Sequence, residues 1–383
     1  MQIPASMTTS SAEDFLAEID GGDNLGELSI PTRGKHQAAG AEGAFVQALA
    51  TWANAQICPT LRTYATAQGD VQIERLVSRL YGICGCILAD KILALKGEDL
   101  TKTFHRAALA RLRDLSREMP YEASRGPQIE ILCADHLAMS HPASLYSFDL
   151  NGIASVKELP AFRELIDSVI LRQIIGGGYR GAFPPSFVHA LAVALYELIR
   201  NTDEHGQADD RGNLRRRSIR GFHARKHALT PDSLAGITSG SPPLADFCRA
   251  LMPARALNKQ VQMVEISVFD TGPGLAASLT GRALVELSFD EELEAVYRCF
   301  NKHISRKHSS SAGLGLPNLV DVLARQGGFL RLRTGRCALY ANFARDPVGQ
   351  FGEPPPLQQW FGGENPAPLV AGTLFTLLFP LRA

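Results

Sequence analysis

A carboxylate and a carboxamide stand four residues apart in the segment Glu197-Leu-Ile-Arg-Asn201. Apolar residues at three- and four-residue intervals predict a helix from Pro185 to about Glu204, so both side chains lie on one helical face. The amide oxygen, together with phosphate oxygens, can hold Mg²⁺ while the carboxylate polarises a water molecule, as hydrolysis of a nucleotide requires. A solvated helix face with an ion pair between Arg200 and Glu204 is the alternative interpretation.

A second segment, Val268 to Gly274, joins a predicted strand at Val261 to Phe269 to a glycine-rich turn. Asp270 stands at the end of this strand, where a carboxylate can accept a hydrogen bond from the exocyclic amine of adenine. Gly272 and Gly274 allow the backbone to pass close to a flat ring. A tight turn without any ligand would use the same glycines.

A third segment, Ser309 to Gly315, is a loop of small residues before a predicted helix that reaches Arg325. Pro317 suits the first turn of a helix, and the N–H groups at that end form a site for phosphate. Gly313 and Gly315 form a Gly-x-Gly pair, which taken alone is only weak evidence of a phosphate-binding loop. Because no strand directly precedes the pair and a third glycine is missing, the loop does not match the dinucleotide-binding fingerprint.

In this order and spacing, the three segments resemble the N, G1 and G2 boxes of the GHKL superfamily, which comprises gyrase, heat-shock chaperone, histidine kinase and mismatch-repair ATPases. The resemblance covers about residues 180 to 383, and Gly372 to Pro380 also resembles the closing strand of that family. It implies the Bergerat-type ATP-binding fold, a two-layer α/β sandwich with a mostly antiparallel mixed sheet and helices on one face.

The resemblance also implies a role for each residue that matches a box. Glu197 would be the catalytic acid that positions or deprotonates water, Asn201 would bind Mg²⁺, and Asp270 would read the adenine amine. Residues 275 to 312 would be a mobile lid, in which Lys302 to His308 offers cations near the phosphates. The implied ATP-binding residues are Asn201, Asp270, Gly272, Gly274, Lys307, Ser311, Gly313, Leu314, Gly315, Leu316 and Thr373, of which Thr373 would support the aspartate.

Three features of the sequence indicate which branch of this superfamily the chain most resembles. The chain ends three residues after Pro380, from which we expect no following domain of the kind that supplies a lysine in gyrase-like and mismatch-repair members. His105 lacks the acidic neighbour and the proline of a phosphoacceptor motif, and we interpret it as a surface histidine. The segment Glu197 to Gly206, ending in Asp-Glu-His-Gly, most resembles the anti-sigma serine kinase branch.

The chain of 383 residues is long enough for two domains, and its fold class is predicted to be α+β. Residues 1–40 are polar and aperiodic and are predicted to be a mobile leader. Residues 41–150 are predicted to form a mainly helical sensing or interaction domain, and residues 151–383 the ATP-binding domain. The predicted N-terminal helices are Gly43 to Tyr64, Val71 to Leu95 and Leu100 to Met119.

The amino-acid composition limits the cellular compartments and the classes of partner that we expect for this protein. The 39 Lys and Arg residues balance 39 Asp and Glu residues, so no overall charge favours nucleic acid or a membrane surface. The longest apolar stretches are far shorter than the roughly 20 residues of a transmembrane helix. Seven cysteines without framework spacing favour a reducing compartment, and the protein is predicted to be cytoplasmic.

Two local patterns have competing interpretations. The basic segment from Arg211 to His227 is either the exposed face of a strand or a phosphate-binding stripe, and nucleic acid is not favoured because stacking aromatic residues are not interleaved. Cys84 and Cys86 are two residues apart on a predicted helix and point to different faces, so buried thiols are favoured over a zinc site.

The residues and the resemblance together predict a protein that binds Mg-ATP and hydrolyses it or transfers its phosphoryl group, thereby driving a lid-closure switch in a regulatory or signalling setting. Two alternatives stay open: a non-catalytic ATP sensor that exposes a partner surface, and a protein kinase acting on Ser or His of a partner. We expect a protein partner encoded next to this chain, and a homodimer is compatible with the prediction.

Overall fold

The computed structural model describes most of the chain. The described residues are 1–22, 25–32, 34, 36–65, 70–117, 127–176, 179–239, 241–252, 260–301, 315–346, 354–361 and 365–381. Together these residues form a mixed α and β structure around one large antiparallel sheet.

The helices and strands are numbered here in chain order. The strands are β1 (Ser6–Met7), β2 (Leu28–Ile30), β3 (His36–Gln37), β4 (Thr60–Thr63), β5 (Lys91–Ala94), β6 (Gln128–Ala134), β7 (Tyr146–Phe148), β8 (Ala154–Val156), β9 (Ile219–Leu229), β10 (Val261–Asp270), β11 (Phe329–Gly335), β12 (Cys337–Asn342), β13 (Gln358–Gln359) and β14 (Val370–Leu381). The α-helices are α1 (Thr9–Asp20), α2 (Ala41–Asn54), α3 (Asp70–Val77), α4 (Leu80–Leu88), α5 (Thr101–Leu115), α6 (Leu159–Glu164), α7 (Arg172–Ile175), α8 (Tyr179–Ala182), α9 (Pro185–His205), α10 (Pro231–Ile237), α11 (Pro242–Leu251), α12 (Leu275–Thr280), α13 (Phe289–Arg298) and α14 (Gly315–Gln326). Short 3₁₀ helices lie at Asp135–Leu137 and Leu284–Glu286, and a π-helical stretch at Leu165–Leu171 joins α6 to α7.

The central sheet has seven strands in the order β13-β12-β11-β14-β10-β9-β6. Every neighbouring pair is antiparallel. The strands predicted near Val261, Phe329, Ala338 and Thr373 are therefore confirmed as β10, β11, β12 and β14. The expected mixed sheet is instead antiparallel throughout its described strands.

Both faces of this sheet are covered. The front face packs under α9 and α14, where Leu191, Leu195 and Leu323 belong to one core with Val268 and other strand residues. The back face packs under the N-terminal helices, so that the residues from Phe45 to Ala50 on α2 share a second core with Phe269 and Leu374. The expectation of helices on one face is therefore too simple, because α2 covers the other face and α1 and α4 pack against α2.

The N-terminal unit contains a small parallel sheet that the sequence analysis did not predict. Strands β2, β4 and β5 pair in that order. The predicted helices Gly43 to Tyr64 and Val71 to Leu95 each end early, and their last residues form β4 and β5. Pro59 cannot continue a helix, and the threonines that flank the next four-residue segment favour a strand. Strands this short leave little periodicity to detect.

Residues 1–22 also differ from the predicted mobile leader. Helix α1 begins after Thr8, whose side chain accepts a hydrogen bond from the backbone N–H of Ser11, and Phe15 and Leu16 are buried. The buried carboxylate of Glu13 lies 2.6 Å from Nη2 of Arg331 on β11. This segment therefore forms an amphipathic helix with one buried ion, which its polar composition did not indicate.

The predicted boundary at residue 150 does not separate two sheets. Strand β6 precedes that position, yet it pairs with β9 and forms one edge of the central sheet. Ile129 and Ile131 of β6 belong to the same front core as α9. Because the front core includes β6, the structural unit around the candidate site begins before residue 150.

Candidate functional site

A cavity of about 820 Å³ lies between the C-terminal half of α9, the ends of β10 and β14, and the start of α14. It brings together residues from all the predicted boxes, although they are far apart in sequence. The predicted residues that line it are Glu197, Asn201, Asp270, Gly274, Gly315, Leu316 and Thr373.

Helix α9 presents one polar face to this cavity. Its apolar residues, such as Leu191 and Leu195, are buried in the front core, so Glu197 and Asn201 face the opening. Glu197 is 22% exposed, and its Oε1 lies 3.8 Å from Nη1 of Arg200. Arg200 also pairs with Glu204 at 3.3 Å, so the ion pair of the alternative interpretation exists beside the predicted site. An exposed pair at this spacing stabilises a helix by only about 0.3–0.5 kcal/mol.

Asp270 is half-buried at the end of β10 and faces the cavity. Its Oδ1 accepts a 2.7 Å hydrogen bond from the backbone N–H of Gly272. Burial raises the pKa of Asp270 to about 6, while hydrogen bonds from the backbone of Gly272 and Thr373 and the charges of Arg215 and Arg220 act in the opposite direction. A carboxylate held in this way accepts hydrogen bonds and can recognise an amine.

The two glycines of the turn after β10 have different surroundings. Gly274 lines the cavity with φ of +82°, a conformation that favours glycine. Gly272 is not among the lining residues, and a Cβ added to it would lie 2.6 Å from the carbonyl oxygen of His205 at the end of α9. Gly272 therefore lets the turn approach α9, whereas the resemblance implied that it lines the base pocket.

Thr373 is a buried residue on β14 beside Asp270. Its backbone donates a hydrogen bond to the Asp270 carboxyl group, and its hydroxyl oxygen lies 3.2 Å from the hydroxyl oxygen of Thr334. Thr334 Oγ1 in turn accepts a hydrogen bond from the backbone N–H of Leu275. Thr373 thus supports the aspartate through its backbone, and its side chain joins the two neighbouring strands.

The start of α14 lies against α9 at the other end of the cavity. A Cβ added to Gly315 would be 2.7 Å from the Cβ of Glu197, so only glycine permits this close approach. The N-terminus of a helix favours anions, which suits a phosphate here. The remaining predicted phosphate-binding residues, Lys307, Ser311, Gly313 and Leu314, and the stretch from Lys302 to His308, lie outside the described residues.

A loop that the sequence analysis did not assign also lines the cavity. It follows α9 and includes Asp209, Asp210 and Arg211. Asp209 Oδ1 accepts hydrogen bonds from the backbone of Arg211 and Asn213, which closes a turn. Asp210 Oδ2 accepts one from the backbone of Leu284 at 2.9 Å. The Asp-x-x-Gly-Asn sequence signals the turn, but it does not indicate that the turn reaches a cavity.

The described part of the predicted lid, residues 275 to 301, is packed against the edge of the sheet. Ala295 and Val296 on α13 belong to the front core. The buried carboxylate of Glu292 accepts a 2.6 Å hydrogen bond from Nε of Arg336, just after β11. Movement of α13 away from the sheet would break this buried pair.

The basic residues on β9 are buried or half-buried, contrary to the interpretation as an exposed strand face, whereas Arg211 and Arg216 before the strand are exposed. Arg217 pairs with Asp90 at 2.5 Å, and Arg220 pairs with Asp203 at 3.2 Å. The two arginine side chains are buried, and each pairs with a partly exposed acid, Asp90 being 31% and Asp203 29% exposed. The buried members are Arg217, Arg220, His223 and His227.

The cysteine and histidine patterns have structural explanations. Cys84 and Cys86 are buried free thiols on α4, as predicted, and burial raises the pKa of Cys86 to about 12. Among the described residues, no group of three or more His, Cys, Asp or Glu side chains is arranged to hold a metal ion. His105 is half-buried, and its Nε2 lies 3.0 Å from the carbonyl oxygen of Ala89.

Comparisons with protein-family models, curated proteins and solved structures found no match for this chain. In the part of the chain that the structure describes, no helix combines the length and the apolar character needed to cross a membrane.

Proposed function

We propose that the protein binds Mg-ATP in the cavity beside α9 and hydrolyses it, or transfers its phosphoryl group, to drive a conformational switch. The observation that supports this most is the convergence of the three sequence boxes. Asn201, Asp270 and Gly315 come from separate elements and line the same cavity. The fold is proposed to be of the Bergerat type, with the N-terminal unit added to the back of the sheet.

The arrangement of chemical groups along the cavity supports a nucleotide in one orientation. Asp270 lies at one end and can accept the adenine amine. Glu197 and Asn201 lie with the start of α14 at the other end, where a phosphate, Mg²⁺ and a water molecule would meet. Ligand cavities of about 300–1,000 Å³ are typical of small-molecule sites, and about 820 Å³ falls within that range.

A second candidate is the non-catalytic sensor, and one contact favours it. Nη1 of Arg200 lies 3.8 Å from Oε1 of Glu197, so the carboxylate already has an ionic partner within the protein. A protein kinase acting on Ser or His of a partner would use the same site for ATP and differs only in the acceptor. Turnover measurements separate the enzyme from the sensor, and retention of labelled γ-phosphate on protein identifies a kinase.

Glu197→Ala tests the catalytic assignment. We expect phosphate release to fall by about 100-fold or more, because general-base catalysis contributes about 10²–10⁴-fold, whereas the affinity for Mg-ATP changes little. Glu204→Ala is the matched control, since Glu204 lies on the same face of α9, lines the same cavity and also pairs with Arg200. It should retain most of the wild-type turnover.

The result has two informative alternatives. Wild-type phosphate release no higher than that of Glu197→Ala, with Mg-ATP binding intact in both proteins, would contradict the enzyme and support the sensor. Equal losses in Glu197→Ala and Glu204→Ala would show that the helix face matters as a whole and that Glu197 has no special role.

A further inference from the structure

Arg220 is buried beside the cavity, where β9 passes the C-terminal end of α9. Its side chain is 1% exposed. On the sheet it is the cross-strand partner of Asp270. Residues paired across antiparallel strands point to the same face, so Arg220 shares the front face with the aspartate.

The guanidinium of Arg220 joins several separate elements. It lies 3.2 Å from Asp203 on α9 and 3.2 Å from Asp135 in the 3₁₀ turn after β6. It donates to the carbonyl oxygen of Ser140 at 2.8 Å and also to the hydroxyl oxygen of Tyr146 at the start of β7. The Tyr146 hydroxyl in turn donates to Asp203 Oδ1 at 2.6 Å. The two acids and the phenol thus surround one buried cation.

This cluster connects the two groups to which a nucleotide would bind. Asp203 follows Asn201 by two residues on α9, and Arg220 stands beside Asp270 across the sheet. The ends of α9 and β10 are also joined by Thr271, whose hydroxyl donates to the carbonyl oxygen of Gly206 at 3.3 Å. The contacts of Arg220 therefore join the end of α9 that follows Asn201 to the strand position opposite Asp270.

We propose that Arg220 and Tyr146 are positioning residues, which hold the Asn201 end of α9 at the distance from Asp270 that lets one Mg-ATP molecule bind both. This inference rests on the proposed function. Mg-ATP spans the two ends, whereas adenosine engages only the Asp270 end. Loosening the cluster should therefore weaken Mg-ATP binding and leave adenosine binding unchanged.

Tyr146→Phe is the variant that isolates this effect. Replacing Arg220 would leave the buried Asp135 and the partly exposed Asp203 without their cation, which endangers the fold. Removing the Tyr146 hydroxyl keeps the ring, whose face lies 5.5 Å from the Arg220 guanidinium, and deletes only the hydrogen bond to Asp203 and the acceptor for Arg220. Tyr81→Phe is the matched control, because Tyr81 is also buried and its hydroxyl donates to Pro31 in the back core, away from the cavity.

The experiment measures dissociation constants for Mg-ATP and adenosine by calorimetry in wild type, Tyr146→Phe and Tyr81→Phe. We expect Tyr146→Phe to weaken Mg-ATP binding by about 5- to 10-fold, equivalent to about 1 kcal/mol, because the hydrogen bond to Asp203 and the acceptor for Arg220 are both lost. Adenosine binding should stay within about twofold, and Tyr81→Phe should match wild type for both ligands. If Tyr146→Phe folds poorly, Asp203→Asn, at a side chain that is 29% exposed, should give the same separation.

Two results would overturn the inference alone. In one, wild type binds Mg-ATP but Tyr146→Phe binds both ligands as Tyr81→Phe does. In the other, Mg-ATP and adenosine weaken equally, which would indicate a general structural effect. Failure of wild type to bind Mg-ATP at all would instead reject the proposed function and the inference with it, and this outcome is visible before any variant is tested.

Discussion

The two faces of the central sheet carry the same kinds of charged side chain in different surroundings. On the front face, Glu197 and Asp270 line an open cavity that a ligand can enter. On the back face, Glu13 lies buried against Arg331 and Arg333, and Glu265 lies buried against His227 at 2.6 Å. The two acids of the cavity can bind a ligand, whereas these two acids of the back face already have protein partners.

The difference follows from the energetics of burial. A charge that is removed from water must be paired, because an unpaired buried ion costs several kcal/mol. The N-terminal unit covers the back face, so every ion there needs a protein partner. The cavity between α9, α12 and α14 is open, so Glu197 and Asp270 can stay in contact with water until a ligand arrives. Residue type alone therefore does not reveal which acids are functional, and the covering elements decide it.

Glu13→Ala tests the structural role assigned to the back face and should have the largest effect. It leaves Arg331 and Arg333 buried without their carboxylate, and removal of one partner of a buried ion pair costs about 3–5 kcal/mol. We expect the free energy of unfolding, measured by urea denaturation, to fall by that amount.

The matched control for this prediction lies on the same helix. Glu18 is exposed on α1, so Glu18→Ala should change the free energy of unfolding by less than about 0.5 kcal/mol. If Glu13→Ala and Glu18→Ala were equally stable, the back face would not depend on its buried ions, and the contrast between the two faces would fail.

The pH dependence of adenosine binding tests the role of Asp270 on the front face. The expected change in free energy is smaller than that for Glu13→Ala. Burial raises the pKa of Asp270 to about 6, and the adenine amine requires the ionised carboxylate as its acceptor. Protons and adenosine therefore compete, so the affinity should be constant above about pH 7 and fall as the pH drops through 6. Between pH 7 and pH 5 the decrease should be about tenfold, equivalent to about 1.4 kcal/mol.

Adenosine is the preferred ligand for this titration because the phosphates of ATP take up protons in the same pH range. The measurement is a series of calorimetric titrations at fixed ionic strength. An affinity independent of pH from 7 to 5 would show that Asp270 does not hold the base in its ionised form.

The parts of the fold predicted correctly are those with strong local patterns. Helix α9 has a long apolar repeat, and β10 and β14 are rich in apolar residues because both faces of the sheet are buried. The strands β4 and β5 have four residues each and follow helices directly, so their residues were assigned to the helices. Their pairing with β2 depends on contacts between distant residues, which no local pattern contains.

In the candidate site too, residues in local motifs could be predicted from the sequence, whereas contacts between distant residues could not. Glu197, Asn201 and Asp270 could be predicted as one site because each belongs to a short motif whose spacing has a chemical meaning, and the three line one cavity. The roles of Arg217 and Arg220 were missed because their partners, Asp90 and Asp203, are identified only by the folded chain. A run of basic residues gives no indication of whether the opposite charges lie in solvent or in the protein.

The measurement that tests the central claim most directly is the titration of wild type and Asp270→Asn with Mg-ATP. We expect wild type to bind one Mg-ATP per chain and Asp270→Asn to bind about 100-fold more weakly, because the new amide places a donor opposite the adenine amine in a site that is partly desolvated. Adenosine should lose affinity by the same factor, since the change affects the base end alone. Equal Mg-ATP affinity in the two proteins, or no binding by wild type, would contradict the assignment of this cavity as a nucleotide site.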